Sequence, residues 1–390
     1  MSKLQELIKE LCPEGVDYKK LGELLDYEQP TKYIVKSTEY DASYDIPVLT
    51  AGQTFILGYT NEKFGVYKAS QENPTIIFDD FTTSFHWVDF EFKIKSSAMK
   101  MLRPKDTFDG SFKYVYYAMK CIKYEAVDHT RHWISKYSQF EIPVPPLEVQ
   151  EEIVRILDHF TNLAAELQAE LQARKEQYEY YRNKLLMFDK IGGGTQSVTW
   201  MKMSEIGNIC MCKRIMKEQT NNIGGVPFYK IGTFGKVADA YISQELYEDY
   251  KNRFSFPVKG EVLISASGTI GRSVIYDGKD AYFQDSNIVW VHNDEMKVLN
   301  KYLYHYYRII EWNVEGGTIK RLYNSNLAKT KIAVPSLPEQ ERIVNILDKF
   351  ENLTTDLQTG LPAEMAAVQE QYEYYRNKLL SFPRNEKISA

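Results

Sequence analysis

Residues 177–186 read Gln-Tyr-Glu-Tyr-Tyr-Arg-Asn-Lys-Leu-Leu, and residues 371–380 read the same ten letters. The match extends upstream. Pro145, Leu147, Gln150, Glu151, Ile153, Val154, Ile156, Leu157, Asp158, Phe160 and Leu163 recur as Pro335, Leu337, Gln340, Glu341, Ile343, Val344, Ile346, Leu347, Asp348, Phe350 and Leu353. The offset grows from 190 to 194, so the second copy carries four extra residues. A repeat has to be settled before any local reading, because missing one mis-assigns the whole fold. Two copies in 390 residues imply a pseudo-two-fold molecule and not a solenoid.

Both copies read as helices. In the first, Ile153, Leu157, Phe160, Leu163, Leu167, Leu171, Tyr178, Tyr181 and Leu185 recur at spacings of three, four or seven. So narrow and long a stripe is coiled-coil-like. At about 1.5 Å per residue, a helix of roughly 40 residues is about 60 Å long, far more than a module needs for its own core. The second copy is interrupted by Thr359-Gly360-Leu361-Pro362. Proline removes a helical hydrogen bond, so a kink or restart is expected there.

The segments between the repeats are also related. Ile46-Pro47-Val48-Leu49-Thr50-Ala51-Gly52 matches Val226-Pro227-Phe228-Tyr229-Lys230-Ile231-Gly232, each an apolar run closed by glycine. Strands are expected at Phe64–Lys68, Thr75–Phe78 and Phe90–Ile94, and at Glu261–Ser265, Ser273–Tyr276 and Asn287–Val291. One helix per segment follows, over Phe112–Ile122 and Leu299–Ile310. The expected fold class is α+β, with two pseudo-symmetric mixed α/β modules joined by two long spacer helices. The boundaries are 1–145 for the first module, 146–190 for its helix, 191–199 for a Gly-rich linker, 200–335 for the second module and 336–390 for the last helix.

Composition narrows the function. Apolar content of 44% and charge of 26% are those of a soluble globular protein. Cys210 and Cys212 form a lone C-x-C without zinc-site spacing, and a reduced cytoplasmic setting is expected. The polar N-terminus is no signal peptide, and no apolar run approaches the ~20 residues of a membrane span. Net charge is −5 overall, distributed as −3 on residues 1–145, +4 on 200–335 and −6 on the repeats. Only the second module is mildly basic.

Three patterns bear on chemistry. Asp79 and Asp80 with Glu91 and Lys93 fit the loosest form of a Mg²⁺-dependent nuclease motif, but the sister module has Ser265-Ala266-Ser267 where the aspartates fall. Gly232-Thr233-Phe234-Gly235-Lys236 lacks phosphate-loop spacing and reads as a turn. Ser265-Ala266-Ser267-Gly268-Thr269-Ile270-Gly271-Arg272 is more telling, because small hydroxylated residues and glycines let a backbone approach phosphates or base edges. The DNA-contact candidates are Ser265, Ser267, Thr269, Arg272, Gln284, Ser286, Lys320, Arg321 and Asn324 in the second module. In the first they are Thr82, Thr83, Ser84, His86, His129, Arg131, His132 and Lys136. The decamers put Tyr178, Tyr181 and Arg182, and their counterparts Tyr372, Tyr375 and Arg376, on a face that pairs with its twin, docks a partner, or both. No catalytic or metal-ligating set is expected.

The paired P-P-L-x-x-Q-E-x-I-V-x-I-L-D runs (Pro145–Asp158 and Pro335–Asp348, with Ser336 replacing the second proline) and the twin decamers resemble the specificity subunits of type I restriction–modification systems. The resemblance spans nearly the whole chain. It implies two target-recognition domains, each reading half of a split double-stranded DNA target, and two antiparallel spacer helices that set the gap and dock two methyltransferase subunits. It implies further that restriction subunits join this core, and that S-adenosylmethionine, ATP and Mg²⁺ act on other subunits, leaving this chain non-catalytic and without a cofactor. The alternatives are the nuclease above and a coiled-coil interaction protein that does not bind DNA.

Overall fold

The computed structural model describes residues 3–52, 54–125, 130–188, 198–317 and 320–385. The predicted linker therefore lies almost wholly outside the described residues. The chain divides into two compact units, residues 1–166 with 365–390, and residues 167–364. Each repeat is thus shared between units: its first part belongs to one and its last part to the other.

The first unit opens with α1 (Lys3–Leu11), β1 (Asp17–Lys20), α2 (Leu21–Leu24) and β2 (Leu25–Glu28). Six strands follow: β3 (Ile46–Leu49), β4 (Ile56–Thr60), β5 (Thr75–Asp79), β6 (Phe85–Val88), β7 (Lys93–Ile94) and β8 (Met99–Pro104). Then come α3 (Phe112–Met119), α4 (His132–Ser135), β9 (Glu141–Val144) and the 40-residue α5 (Leu147–Leu186), which continues into the second unit. The second unit has β10 (Thr199–Lys202), α6 (Met203–Ile206), β11 (Asn208–Cys210), β12 (Val226–Tyr229), β13 (Tyr241–Ile242), α7 (Gln244–Arg253), β14 (Val262–Ser265), β15 (Ser273–Ile275), β16 (Tyr282–Phe283) and β17 (Ile288–His292). It ends with α8 (Asn300–Tyr306), α9 (Asn324–Lys329), β18 (Lys331–Val334) and α10 (Leu337–Thr355), before α11 (Leu361–Leu379) returns to the first.

The two units have one topology. The first holds sheets ordered β2-β8-β5-β6, β4-β3-β7 and β1-β9, and the second holds β11-β17-β14-β15, β13-β12-β16 and β10-β18. In both three-stranded sheets one neighbour is parallel, β3 with β7 and β12 with β16. The inner strands β5 and β14 carry continuous apolar runs, residues 76–78 and 262–264, because both faces are covered. Ile76 and Phe78 of β5 face one core while Ile77 faces another, and Val262 and Ile264 against Leu263 repeat this in β14. The run Phe64–Lys68 is not a strand. Tyr67 alone bridges to Phe92, and Gly65 turns the chain at φ +63°. Helix α7 was not foreseen in the sequence, where its ten residues carry too few apolar side chains for a clear stripe.

One glutamine explains how each module is fastened to its repeat helix. Gln150 accepts from Ser111 N at 2.9 Å and donates to Pro145 O at 2.7 Å. Gln340 accepts from Leu299 N at 2.9 Å and donates to Pro335 O at 2.8 Å and Lys297 O at 2.9 Å. Both are buried. Each supplies partners to backbone groups at the start of α3 or α8 that burial would otherwise orphan.

The decamers close each unit. In the first, Tyr375 stacks on Phe160 at 5.5 Å, and in the second Tyr181 stacks on Phe350 at 5.6 Å, both at 21° between ring planes. Arg384 meanwhile pairs with Glu141 at 2.6 Å, beside the start of α5, so α11 descends as α5 rises and the pairing is antiparallel. The expected interruption is present. Helix α10 ends at Thr355, and α11 restarts at Leu361 with Pro362 in its first turn, where its missing N–H is harmless. Among the described residues no helix is long and apolar enough to cross a membrane.

Candidate nucleic-acid interface

Three segments converge at one end of the central sheet in each unit, and backbone hydrogen bonds set them in the same register. The first is the hairpin turn after β5 or β14. Asp79 N donates to Ser84 O and Thr83 N to Asp79 O; Ser265 N donates to Arg272 O and Gly271 N to Ser265 O. Thr83 and Gly271 therefore occupy one left-handed position, at φ +59° and +85°. The second is the crossover loop after β7 or β16. Lys95 N donates to Leu49 O, and Gln284 N to Tyr229 O. Three residues later the loop meets the turn, where Asp80 N donates to Ala98 O and Ala266 N to Asn287 O. The third segment begins with an arginine. His132 N donates to Asp80 O at 2.8 Å, and Leu322 N to Ala266 O at 2.8 Å, which makes Arg131 and Arg321 equivalent.

In the second unit these segments are cross-linked by side chains. Ser267 Oγ donates to Asn287 Oδ1 at 2.9 Å. Arg321 donates to Asn287 Oδ1 at 2.8 Å and to Ser286 Oγ at 3.3 Å. Gln284 Oε1 accepts from Ile231 N at 3.0 Å, and Arg272 donates to Phe234 O at 3.0 Å. Arg214 pairs with Asp285 at 3.0 Å. Ser265 is buried, with its hydroxyl bonding within its own turn, so it frames the loop. Thr269, Lys320 and Asn324 are exposed.

The first unit uses different chemistry on the same frame. Asp80 and Lys100 form a buried ion pair at 3.1 Å, each side chain 2% exposed, and Asp80 Oδ1 also accepts from Trp133 N at 2.7 Å. The sister positions are apolar, Ala266 and Val289. His132 is fully buried, with Nδ1 3.0 Å from Tyr124 Oη, and Thr83 is 8% exposed, so both belong to the frame. His86 Nε2 lies 3.1 Å from the carbonyls of Ala51 and Gly52, and burial holds its pKa below the usual range. Thr82, Arg131 and Lys136 are exposed, and Ser84 is half-buried. His129 lies outside the described residues. The sequence reading missed Lys95, the equivalent of Gln284, because no local pattern marks it; only the shared register of the parallel strand pair does.

The nuclease residues do not form one site. Asp79 caps its own turn through Phe81 N and Thr82 N. Asp80 is held by Lys100, Glu91 pairs with Lys68, and Lys93 is buried against Glu62 at 3.0 Å. Among the described residues, the His/carboxylate group able to share an ion is His305, Asp348 and Glu351. It is already occupied by cations of the protein: Lys301 reaches Asp348 at 2.6 Å and Arg308 reaches Glu351 at 2.8 Å.

The decamer residues serve the chain first. Tyr178 is buried, near His305 Nδ1 at 3.3 Å and accepting from Arg308 at 2.9 Å. Arg182 lies over Tyr178, and Arg376 over Tyr372, each 5.4 Å from the ring centroid. The solvent face instead carries Tyr180 and Tyr374, 59% and 57% exposed, each under a lysine, Lys184 or Lys378.

Residues 13–176 and 197–367 both match the family described as "Type I restriction modification DNA specificity domain". The chain belongs to this family. It is 41% identical, over the full length of both chains, to the specificity subunit of the EcoR124I/EcoR124II type I restriction enzyme of Escherichia coli. A Haemophilus influenzae protein provisionally named a type I restriction enzyme specificity subunit is 45% identical over 380 residues, 94% of this chain and 96% of that one. The fold matches the S subunit of a type I system from M. genitalium with a TM-score of 0.56 at 15% identity, covering 94% of this chain and 96% of that chain. As a specificity subunit, the chain is a DNA-recognition component and not a nuclease.

Proposed function

We propose that this specificity subunit reads an asymmetric, two-part DNA target, one half per module. It does so within an assembly that includes two methyltransferase chains and is joined by restriction chains. The observation that carries this reading is one strand order and loop register used twice with divergent side chains at the loop ends. Equal frames present equal surfaces, and unequal side chains on them select unequal sequences. Thr82, Ser84, Arg131 and Lys136 in the first unit are proposed as direct contacts. Those of the second are Thr269, Arg272, Gln284, Ser286, Lys320, Arg321 and Asn324. The repeat helices act as the spacer that demands a fixed gap between half-sites.

The identical decamers support docking of two copies of one partner. Their aromatic seam is used within each unit, so the docking contacts fall on Glu179, Tyr180 and Lys184 and on Glu373, Tyr374 and Lys378. The chain acts without a cofactor of its own. S-adenosylmethionine, ATP and Mg²⁺ serve the other subunits, and the complex works in the cytoplasm.

Replacing residues 200–335 by the module of another specificity subunit, followed by methylome sequencing, tests the modular reading. One half of the methylated motif should change; alteration of both halves would refute it. Deleting one turn of α5 should change the gap or abolish methylation, and an unchanged gap in an active complex removes the spacer role.

A further inference from the structure

We infer that Lys95 and Gln284 are the base-selecting position of their modules, and that Arg131 and Arg321 are a shared phosphate-positioning one. This assignment rests on the reading of one half-site per module and says which side chains divide that work. The two units share backbone hydrogen bonds around the loop ends, although the hairpin turn from Ser265 to Arg272 is two residues longer than that from Asp79 to Ser84. Lys95 and Gln284 make the same backbone bond, three residues before the equivalent Ala98 and Asn287. Arg131 and Arg321 immediately precede the equivalent His132 and Leu322. At such matched points, a residue type kept in both modules serves what both half-sites share, and only the sugar–phosphate backbone is shared. Where the side chains at a matched point are buried and differ, as Asp80/Ala266 and His132/Leu322 do, they serve the frame; a polar side chain left accessible there, and different in the two modules, serves what differs, the bases.

The local chemistry fits each role. Lys95 is exposed on the loop, with its ammonium 2.9 Å from Tyr40 Oη. It offers a cationic donor to acceptor atoms on a base edge. Gln284 is anchored through Oε1 to Ile231 N, which fixes the amide plane and aims its NH₂ group away from that anchor. The pair thus presents an exposed cation in one module and an oriented neutral amide in the other. Arg321 is pinned by Asn287 and Ser286 at one end of its guanidinium, a geometry that holds a cation in place.

The test uses the complex assembled with its methyltransferase chains, and duplexes carrying the motif found by methylome sequencing or that motif with one half scrambled. Lys95→Ala should lower the ratio of intact to scrambled affinity about tenfold or more for one half only, and Gln284→Ala for the other half only. Arg131→Ala and Arg321→Ala should weaken binding to all duplexes by one common factor. Each should also flatten the slope of log affinity against log salt by about 1. Unchanged ratios in the lysine and glutamine variants, or an arginine variant that alters a ratio, overturn the assignment. The exchanges Lys95→Gln and Gln284→Lys swap the cation and the neutral amide between the two matched points; an unshifted methylation motif in both also overturns it. Absence of any two-part preference in the unsubstituted complex defeats the underlying reading, and this assignment with it.

Discussion

Replacing Asp80 by alanine exposes how the two modules solved one packing problem differently. Phe78 and Lys100 pair directly across β5 and β8, and Lys100 shares the face of the sheet on which Leu102 meets the core. Its side chain is 2% exposed, with the ammonium 3.1 Å from Asp80 and 4.6 Å from the Tyr27 ring. Asp80→Ala leaves that ammonium buried without its counter-charge, which costs about 3–5 kcal/mol. Lys100→Val strands the carboxylate and should cost a similar amount. The double variant installs the apolar pair that the second module has at Ala266 and Val289. Its loss should fall to about 1–3 kcal/mol, for the Trp133 N–H that no longer has Asp80 as acceptor. The two single losses should therefore sum to at least about 3 kcal/mol more than the double. Native-state hydrogen exchange on peptides covering β5 and β6 reads the opening free energy of the first unit alone. A single-variant loss under about 1 kcal/mol, or a double variant as damaged as the singles, would refute the view of this pair as a self-cancelling buried charge.

Other outcomes follow from the same geometry. Gly271→Ala puts a Cβ 2.3 Å from Trp312 Nε1 at φ +85°, so melting should show destabilisation and methylome sequencing a weakened half-site. Thr83→Gly relieves a β-branched residue at φ +59° and should leave stability equal or up to about 1 kcal/mol higher by denaturant titration. Gln340→Leu orphans Leu299 N and Pro335 O, and should cost about 2–4 kcal/mol in exchange experiments on the second unit. Burial lowers the pKa of His305, against the raising effect of its bond to Asp348. The unfolded chain then binds the proton more readily, so the stability of the second unit should fall as pH drops below about 6.5. His305→Gln should flatten that dependence between pH 7 and 5, and an unchanged slope would assign it to another group.

Much of this molecule is legible in its sequence for a simple reason: duplication is visible in letters. The twin decamers, the matched runs ending in Asp158 and Asp348, and the broken helix at Gly360-Leu361-Pro362 define two modules and two spacers without any coordinates. The apolar runs of β5 and β14 declare themselves because strands covered on both faces need continuous hydrophobicity. What the letters leave open is decided by pairing across the chain. Whether Tyr178 and Tyr372 dock a partner or fill a seam depends on which residues oppose them: Tyr178 meets Phe350, His305 and Arg308, and Tyr372 packs on the core of the first unit, all far away in sequence from where each tyrosine's own turn could reach. Lys95 and Gln284 share no motif, yet the parallel pairing of β7 with β3 and of β16 with β12 places them at one position. Asp80 reads as a metal ligand until Lys100, twenty residues on, is seen beside it. Local periodicity reports which face of an element is buried; only the tertiary fold decides what that face is buried against, and so which polar residues remain to meet DNA.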